Sequence, residues 1–417
     1  MSRGTVGSTM EGGARTGVRR VGRRGFLKTL AVGVGAGVGV GTGMRGSVWA
    51  QEADSEVVLP EARGPRVILI RFGGGVRRRE SIEPEHTFAP FLCRSLAARG
   101  TLFPRMVIDR QEGLNTSHGE GTLNLLTGRY DRYTDVLDGF LKARFEPKVP
   151  TLFEYLRKQY RVAPHETLIV NGEDRPDEEF YTFSNHAGYG IDFRSSVLSL
   201  YRFKRWLYER QLAEGKLTEV QRDKRREQLR KWEEADPRSR GRADSGPALD
   251  AFWERWLEHY GDSGLVNPRG DRLLTTLTLR ALKELKPRLV MVNYNDCDYV
   301  HWGYLSHYTT GIGVMDEGIR QLVEAVEADP ETRDDTVFVI VPDCGRDSNP
   351  MSAVPCQHHF NSKSSHEIFA LLTGAGIAKG RVVDKTVRQV DIAPTVGRLM
   401  GFKAEHAEGR VLEEALS

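Results

Sequence analysis

The sequence predicts an α/β protein with a doubly wound, mostly parallel sheet flanked by helices and with a helical insertion. Three observations support this prediction. Short apolar runs of strand length recur along the chain, and stretches of helical periodicity lie between them. A long, highly charged helical stretch interrupts this alternation once. A chain of 417 residues is long enough for one large domain of this class.

The apolar runs read as buried parallel strands, because they are continuous rather than alternating and several end at glycine or polar residues. The predicted strands are Val67–Phe72, Leu168–Val170, Leu289–Asn293, Val337–Val341 and, more weakly, Phe369–Leu372. The predicted helices are Phe88–Ala98, Thr122–Thr127, Thr151–Tyr160, Thr275–Leu285 and Gly311–Ala328. Ligands of such sheets bind at the carboxyl ends of the strands.

The stretch at about 195–262 differs in composition from the rest of the chain. Basic and acidic residues interleave along it at helical spacing, which indicates a solvated helix face rather than a nucleic-acid patch. We interpret it as a helical hairpin inserted into the α/β domain, which itself covers residues 51–417.

Residues 1–50 are predicted to be an export signal. Arg23-Arg24-Gly25-Phe26-Leu27-Lys28 precedes a mildly apolar, glycine-rich stretch and is similar to a twin-arginine signal. Val48-Trp49-Ala50 provides a small-residue cleavage pattern. We therefore expect a protein that engages the twin-arginine export machinery and is periplasmic or extracellular. An uncleaved anchor and a disordered glycine-rich tail are the alternatives.

The charge of the remaining chain argues against nucleic acid as a partner. Eight of the 60 Lys and Arg residues and one of the 57 acidic residues lie in the first 50 positions, so the remainder carries a net charge of −4. No apolar stretch reaches the roughly 20 residues that a membrane helix requires, so we expect no stable membrane span after cleavage.

Residues that commonly bind metals or act as nucleophiles follow the predicted strands. They fall in four segments, Val67–Gly75, Asn115–Tyr130, Asn293–Gly303 and Thr336–Phe360, and a helix containing Asp391-Ile-Ala-Pro-Thr395 closes the pattern. This order resembles the alkaline phosphatase superfamily, which includes sulfatases, phosphodiesterases and phosphomutases. The resemblance covers most of residues 65–402 except the insertion. It implies a site for two metal ions, usually zinc, or for one calcium ion.

The resemblance also implies a ligand set. Asp298 and His301 match the family's Asp and His after the third strand, although their separation is three residues instead of four, which leaves Asp296 as a rival. Asp343 matches the aspartate that follows a later strand. Either His366 or His359 matches the last histidine.

Two departures put the second metal position in doubt. Gly73 stands where the family has a metal-binding aspartate, and Cys344 stands where it has a histidine. The nucleophile's position is taken by His118, with Ser117 and Thr116 beside it. A carboxylate from Glu80 or Glu120 is an alternative ligand for this second position.

Several of these residues have a structural alternative. Asp343 could cap a turn, His301 could pack beside Trp302, and Ser117 could cap a helix together with Glu120. Cys344 could be a metal-binding thiolate or could form a disulfide with Cys356, and export favours the disulfide.

The sequence therefore predicts an exported, metal-dependent hydrolase of phosphate or sulfate esters. Its catalytic candidates are Ser117 and His118, and its metal-ligand candidates are Asp298, His301, Asp343, His359 and His366. The expected cofactor is a divalent metal, zinc in the first place and calcium in the second. The expected substrate is a small-molecule or polysaccharide ester. The alternative is a catalytically inactive superfamily member that acts as a binding or structural protein.

Overall fold

A nine-stranded sheet in which most neighbouring strands run parallel forms the centre of the protein. The computed structural model describes residues 64–109, 116–133, 146–172, 181–235, 245–262, 270–302, 304–349, 356–358 and 362–417. The export signal predicted at residues 1–50 and the candidate ligand His359 lie outside the described residues.

The strands run in the order β10-β2-β9-β8-β1-β7-β5-β6, and β11 also pairs with β2. Only β9 runs antiparallel to its neighbours in this sheet, as far as the described residues go. A separate two-stranded sheet joins β3 and β4. The bounds are β1 Arg66–Arg71, β2 Gly100–Val107, β3 Arg132–Tyr133, β4 Glu146–Pro147, β5 Thr167–Asn171, β6 Ser196–Leu198, β7 Leu289–Asn293, β8 Thr336–Val341, β9 Glu367–Gly374, β10 Arg381–Val382 and β11 Val387–Arg388.

The helices cover both faces of the sheet, which confirms the predicted doubly wound architecture. Side chains of α4, α6, α7 and α8 form the core on one face, and those of α2, α3 and α10 form the core on the other. The bounds are α1 Arg78–Ser81, α2 His118–Thr127, α3 Leu152–Tyr160, α4 Leu200–Glu214, α5 Glu219–Ala235, α6 Pro247–Tyr260, α7 Asp271–Leu285, α8 Leu305–Ala328, α9 Lys363–His366 and α10 Ile392–Met400.

The inserted stretch contains the two predicted hairpin helices, α4 and α5, and a third helix, α6, follows them. Phe203 of α4 packs against Trp253 and Trp256 of α6, within the same core as the sheet residues. The insertion therefore shares the hydrophobic core of the domain, while most of α5 faces solvent.

Two local predictions differ from the structure. The predicted helix Phe88–Ala98 is a π-helical turn, Phe91–Leu96, followed by a 3₁₀ turn. Strand β2 was not predicted, because Pro104 interrupts its apolar pattern; the pairing with β9 is irregular at the same point, between Phe103 and Met106. In the part of the chain that the structure describes, no helix is both long and apolar enough to cross a bilayer.

Candidate active site

The candidate site lies at the carboxyl ends of three neighbouring strands, β8, β1 and β7. Asp343 follows β8, the glycine loop Gly73–Gly75 follows β1, and Asp298 lies in a 3₁₀ helix that follows β7. Helix α2 begins beside them at His118. Parallel strands place their carboxyl ends along one edge of the sheet, which is why residues so distant in sequence meet here.

One carboxylate oxygen of Asp298 is the centre of a ring of imidazoles. Its Oδ1 atom lies 3.0 Å from His118 Nε2, 3.0 Å from His301 Nε2 and 3.4 Å from His358 Nε2. The same oxygen accepts a hydrogen bond of 2.7 Å from Arg346. Burial by itself would raise the pKa of Asp298, but the histidines around it hold that pKa far below its ordinary range. Asp298 is therefore ionised.

The outer nitrogens of two of these imidazoles are held by neighbours. Nδ1 of His358 lies 2.7 Å from the Thr116 carbonyl oxygen, and the Thr116 hydroxyl donates in return to the His358 carbonyl. Because a carbonyl only accepts, Nδ1 of His358 carries a proton, and its Nε2 faces Asp298. Nδ1 of His301 lies 2.9 Å from the side-chain amide nitrogen of Gln357.

His118 connects the two aspartates of the site. Its Nδ1 lies 2.7 Å from Asp343 Oδ2, while its Nε2 is buried and makes no hydrogen bond of good geometry among the described residues. Burial lowers the pKa of His118, but the charges of Asp343 and Asp298 outweigh this and place the pKa well above its ordinary value. In the protein without bound metal, His118 is therefore an imidazolium.

Asp343 is saturated by the protein itself. Its Oδ1 atom accepts N–H groups from Gly75 at 3.1 Å and from Cys344 at 2.8 Å. Its Oδ2 atom accepts from Gly74 at 3.3 Å and faces His118. Burial would raise the pKa of this carboxyl, yet His118, Arg71 and the N–H groups hold it below the ordinary range. Little lone-pair capacity remains for a metal ion.

The second metal position is closed by backbone and by an arginine. A Cβ atom on Gly73 would lie 2.1 Å from the Tyr294 carbonyl oxygen and 3.2 Å from Asp343 Oδ2, so no side chain fits there. The Arg71 guanidinium lies beside this point, 3.9 Å from Asp343, and donates to Thr122 of α2 at 2.9 Å. Position 73 therefore supplies no ligand, and the residues left for a second metal ion are His118, Asp343 and Cys344, whose ligand atoms lie within 4.8 Å of one another.

None of the four cysteines forms a disulfide. All four are free thiols, so the expected Cys344–Cys356 disulfide is wrong. Cys344 points into the core beside His118, whereas Cys356 lies in a loop with a positive φ of 61°. Burial raises the pKa of Cys344 to about 11, so in the metal-free protein at neutral pH it is a thiol.

Arg346 is a fully buried clamp that joins the loops of the site. Its guanidinium donates to the carbonyls of Gly74, Gly75 and Cys356 as well as to Asp298. These contacts engage its donors, so it fixes the orientation of Asp298 and neutralises part of its charge. A single cation at Asp298 would share this carboxylate with Arg346.

Four of the residues that the sequence analysis selected meet in this site: His118, Asp298, His301 and Asp343. Ser117 caps α2 instead, accepting from the Glu120 N–H and donating to the Glu120 carboxylate at 2.9 Å. His366 is directed towards β2, where its Nδ1 lies 2.9 Å from the Ile108 carbonyl. Glu80 pairs with Arg77 at 2.7 Å and supplies no substitute carboxylate.

Three functional residues were not selected from the sequence. His358 is one of two adjacent histidines, and nothing in the sequence shows which of the two faces the site. Arg71 ends a buried strand and Arg346 lies in the loop that follows another, and a charge buried at such positions needs a buried partner. That signal could have identified both arginines.

A single metal position fits the donor set around Asp298. Ligand atoms of His118, Asp298 and His358 all lie within 4.8 Å of one another, and His301 Nε2 faces the same carboxylate oxygen. Imidazole nitrogens with one carboxylate are typical zinc ligands, and a cation here would replace the ion-pair contact of 3.0 Å between His118 Nε2 and Asp298 Oδ1.

Comparisons with known proteins agree with this fold. No protein-family model matches the sequence, and no curated protein matches it. Among solved structures, an alkaline phosphatase superfamily protein from Vibrio parahaemolyticus matches with a TM-score of 0.51 at 13% identity, over 86% of this chain and 72% of that one. A quadruple variant of alkaline phosphatase PafA matches with a TM-score of 0.55 at 10% identity, over 86% and 100% of the two chains. The wild-type PafA structure matches with a TM-score of 0.51 at 11% identity. The chain therefore has the fold of the alkaline phosphatase superfamily, as its motifs predict.

Proposed function

We propose that the protein is a hydrolase of phosphate or sulfate esters that works with one divalent cation bound at Asp298. The observation that carries the proposal is the convergence of three imidazole Nε2 atoms on a single oxygen of Asp298, between 3.0 and 3.4 Å away. Nitrogen-rich donors favour zinc over calcium, which takes six to eight oxygen ligands.

The residues that would hold the cation are His118, Asp298, His301 and His358. A zinc ion there supplies a Lewis acid that polarises an oxygen of the ester. Hydrogen bonds from the outer nitrogen to backbone, as in His358, orient such ligands and fix their tautomer.

The attacking group in this proposal is water. The Ser117 hydroxyl is committed to the cap of α2, and Nδ1 of His118 is committed to Asp343. Water oxygen would form the new bond to phosphorus or sulfur, the bond to the ester oxygen would break, and the water proton would pass to the departing alcohol. Arg71 and Arg346 balance the charges of Asp343 and Asp298, so an anionic ester meets no net negative field.

Two histidines offer a matched pair of variants that tests the proposal. Both are buried, and each places Nδ1 against a backbone carbonyl, at 2.7 Å for His358 and 2.9 Å for His366. Substitution by Asn keeps a donor at that position and removes only Nε2. We expect His358→Asn to lose bound zinc and turnover, whereas His366→Asn keeps both.

The assay would use 4-nitrophenyl phosphate, bis(4-nitrophenyl) phosphate and 4-nitrophenyl sulfate, before and after chelation and with zinc added back. Turnover that survives complete removal of metal would contradict the single-cation mechanism. Bound zinc without turnover of any of these esters would contradict the hydrolase.

That second candidate is a catalytically inactive member of the superfamily that binds a ligand or serves a structural role. The saturated carboxylate of Asp343 and the placement of Arg346 on Asp298 support it, because protein cations then balance both aspartates without metal. It predicts purified protein with no stoichiometric metal and no turnover.

We also propose that the protein is exported through the twin-arginine pathway and acts on small-molecule or polysaccharide esters outside the cytoplasm. The sequence of residues 1–50 supports the export. Replacing Arg23 and Arg24 together by Lys should retain the protein in the cytoplasm, as fractionation would show. Unchanged export of this variant would contradict the assignment.

A further inference from the structure

A second cavity lies at the edge of the sheet opposite to Asp298. It has a volume of 620 Å³ and opens between α7 and α8, below the amino ends of β1 and β8. Sites for small molecules in proteins commonly measure about 300–1,000 Å³. The proposed hydrolase makes no use of this cavity, because the reacting groups stand at the other end of the strands.

The walls of the cavity are largely apolar. Ile68 of β1, Leu279 and Leu282 of α7 and Val326 of α8 line it, and the Tyr260 ring forms one side. Ile68 and Val326 are buried in the core of this sheet face. An occupant must therefore present an apolar body to these side chains.

The rim of the same cavity carries positive charge. Four cations line it, Arg66, Arg280, Lys283 and Lys286, against one acidic residue, Asp329. Arg280 pairs with Glu284 at 2.9 Å and Lys286 pairs with Glu331 at 2.6 Å. Within the described residues, Arg66 and Lys283 make no ion pair, so their charge is uncompensated.

Two guanidinium donors at this cavity are buried and unpaired. The Nη1 atom of Arg66 donates to the carbonyls of Lys286 and Pro287 at 2.7 and 3.2 Å, which fixes the group in place. Its Nε atom, like that of Arg280, has no hydrogen-bond partner in the part of the chain that the structure describes. Both Nε atoms are shielded from the solvent-accessible surface, so an occupant of the cavity would meet the charge of these guanidinium groups rather than a hydrogen bond from Nε.

We propose that this cavity binds an amphipathic anion, namely an alkyl carboxylate of medium chain length. The alkyl chain packs against the apolar wall, and the carboxylate lies at the rim near the uncompensated charges of Arg66 and Lys283. A neutral alcohol would lack the charge that these cations attract. Inorganic phosphate would lack the apolar body, and its charge would be poorly matched to the walls.

Calorimetric titration of the full chain with decanoate, decanol and inorganic phosphate tests the proposal. We expect decanoate to bind at least about tenfold more tightly than either of the other probes, because hydrogen bonds to a charged group are the stronger class. Lys283→Glu reverses an exposed charge at the rim and should weaken decanoate binding, whereas Lys379→Gln, at an exposed site outside the cavity, should not.

Filling the cavity provides a second variant that does not depend on charge. Ala325 is exposed on α8 and lines the cavity, so Ala325→Trp should fold normally and abolish decanoate binding. Decanol binding as tight as decanoate, or decanoate binding unchanged in both Lys283→Glu and Ala325→Trp, would overturn the proposal. Absence of decanoate binding to the unmodified chain at millimolar concentration would also overturn it. Ester turnover is measured separately, so the outcome of the decanoate titrations does not bear on the proposed hydrolase.

Discussion

Asp343→Asn is the substitution that best separates a structural carboxylate from a metal ligand. The side chain is fully buried and accepts three backbone N–H groups, from Gly74, Gly75 and Cys344, besides the contact of 2.7 Å with His118. Asparagine has nearly the same shape. Either orientation of its amide, however, turns an NH₂ group against two donors.

The magnitude follows from these contacts. The substitution leaves the cations His118 and Arg71 buried without the carboxylate that faces them. Removing one partner of a buried ion pair costs about 3–5 kcal/mol, out of a total stability of roughly 5–15 kcal/mol for a typical protein. We therefore expect Asp343→Asn to lower the free energy of unfolding of the metal-free protein by about 3–5 kcal/mol.

Urea unfolding of the chelated protein measures this change. Asp347→Asn is a matched control, because that buried carboxylate accepts a single hydrogen bond, of 3.0 Å from Asn349, among the described residues. Its substitution should cost less than about 1.5 kcal/mol. A change of less than about 1 kcal/mol for Asp343→Asn, accompanied by loss of bound metal, would refute the reasoning and make Asp343 a metal ligand.

Three further predictions concern the same site. The raised pKa of His118 adds stability below its unfolded value of about 6.5, and this stability is lost as pH rises. The lowered pKa of Asp343 adds stability above about pH 4, and this stability is lost as pH falls. In the metal-free protein the joint contribution of the two groups to the free energy of unfolding should therefore peak between these pH values, and His118→Gln should abolish the decline on the alkaline side. Gly73→Ala places a Cβ atom 2.1 Å from a backbone carbonyl and should cost about 1–3 kcal/mol in urea unfolding, whereas Gly313→Ala in α8 meets nothing closer than 3.7 Å and should not destabilise the protein. Cys344 should resist iodoacetamide at pH 8 until the protein unfolds, as peptide mass spectrometry would show, because its thiol is buried and its pKa is about 11; modification of the folded protein would contradict this.

The sequence predicted the elements that its period and composition mark clearly. Continuous apolar runs identified β1, β7 and β8, and the polar residues after them identified the edge where the site lies. Strand β2 escaped prediction because Pro104 disrupts its pattern, and only pairing with β9 reveals it as a strand. Helix α2 was predicted in part, and the cap formed by Ser117 accounts for its true start.

The chemistry of the site was less accessible from sequence. Spacing indicated that Gly73 and Cys344 had replaced ligands, but it could not indicate that Arg71 would lie beside the place that a side chain on Gly73 would occupy. Adjacent histidines are indistinguishable by spacing, so the selection of His358 depends on the loop conformation that Thr116 holds. Tertiary contacts, and not the local sequence pattern, decide where an arginine or histidine of the protein takes the place of a metal ion.

The central claim is that one cation, and not two, can occupy this site, bound by imidazoles and Asp298 without sulfur. X-ray absorption of the zinc-loaded protein, combined with elemental analysis, tests it most directly. We predict one zinc per chain with nitrogen and oxygen neighbours at about 2.0–2.2 Å. A sulfur neighbour at about 2.3 Å, or a second metal about 3.5–4 Å away, would contradict the account.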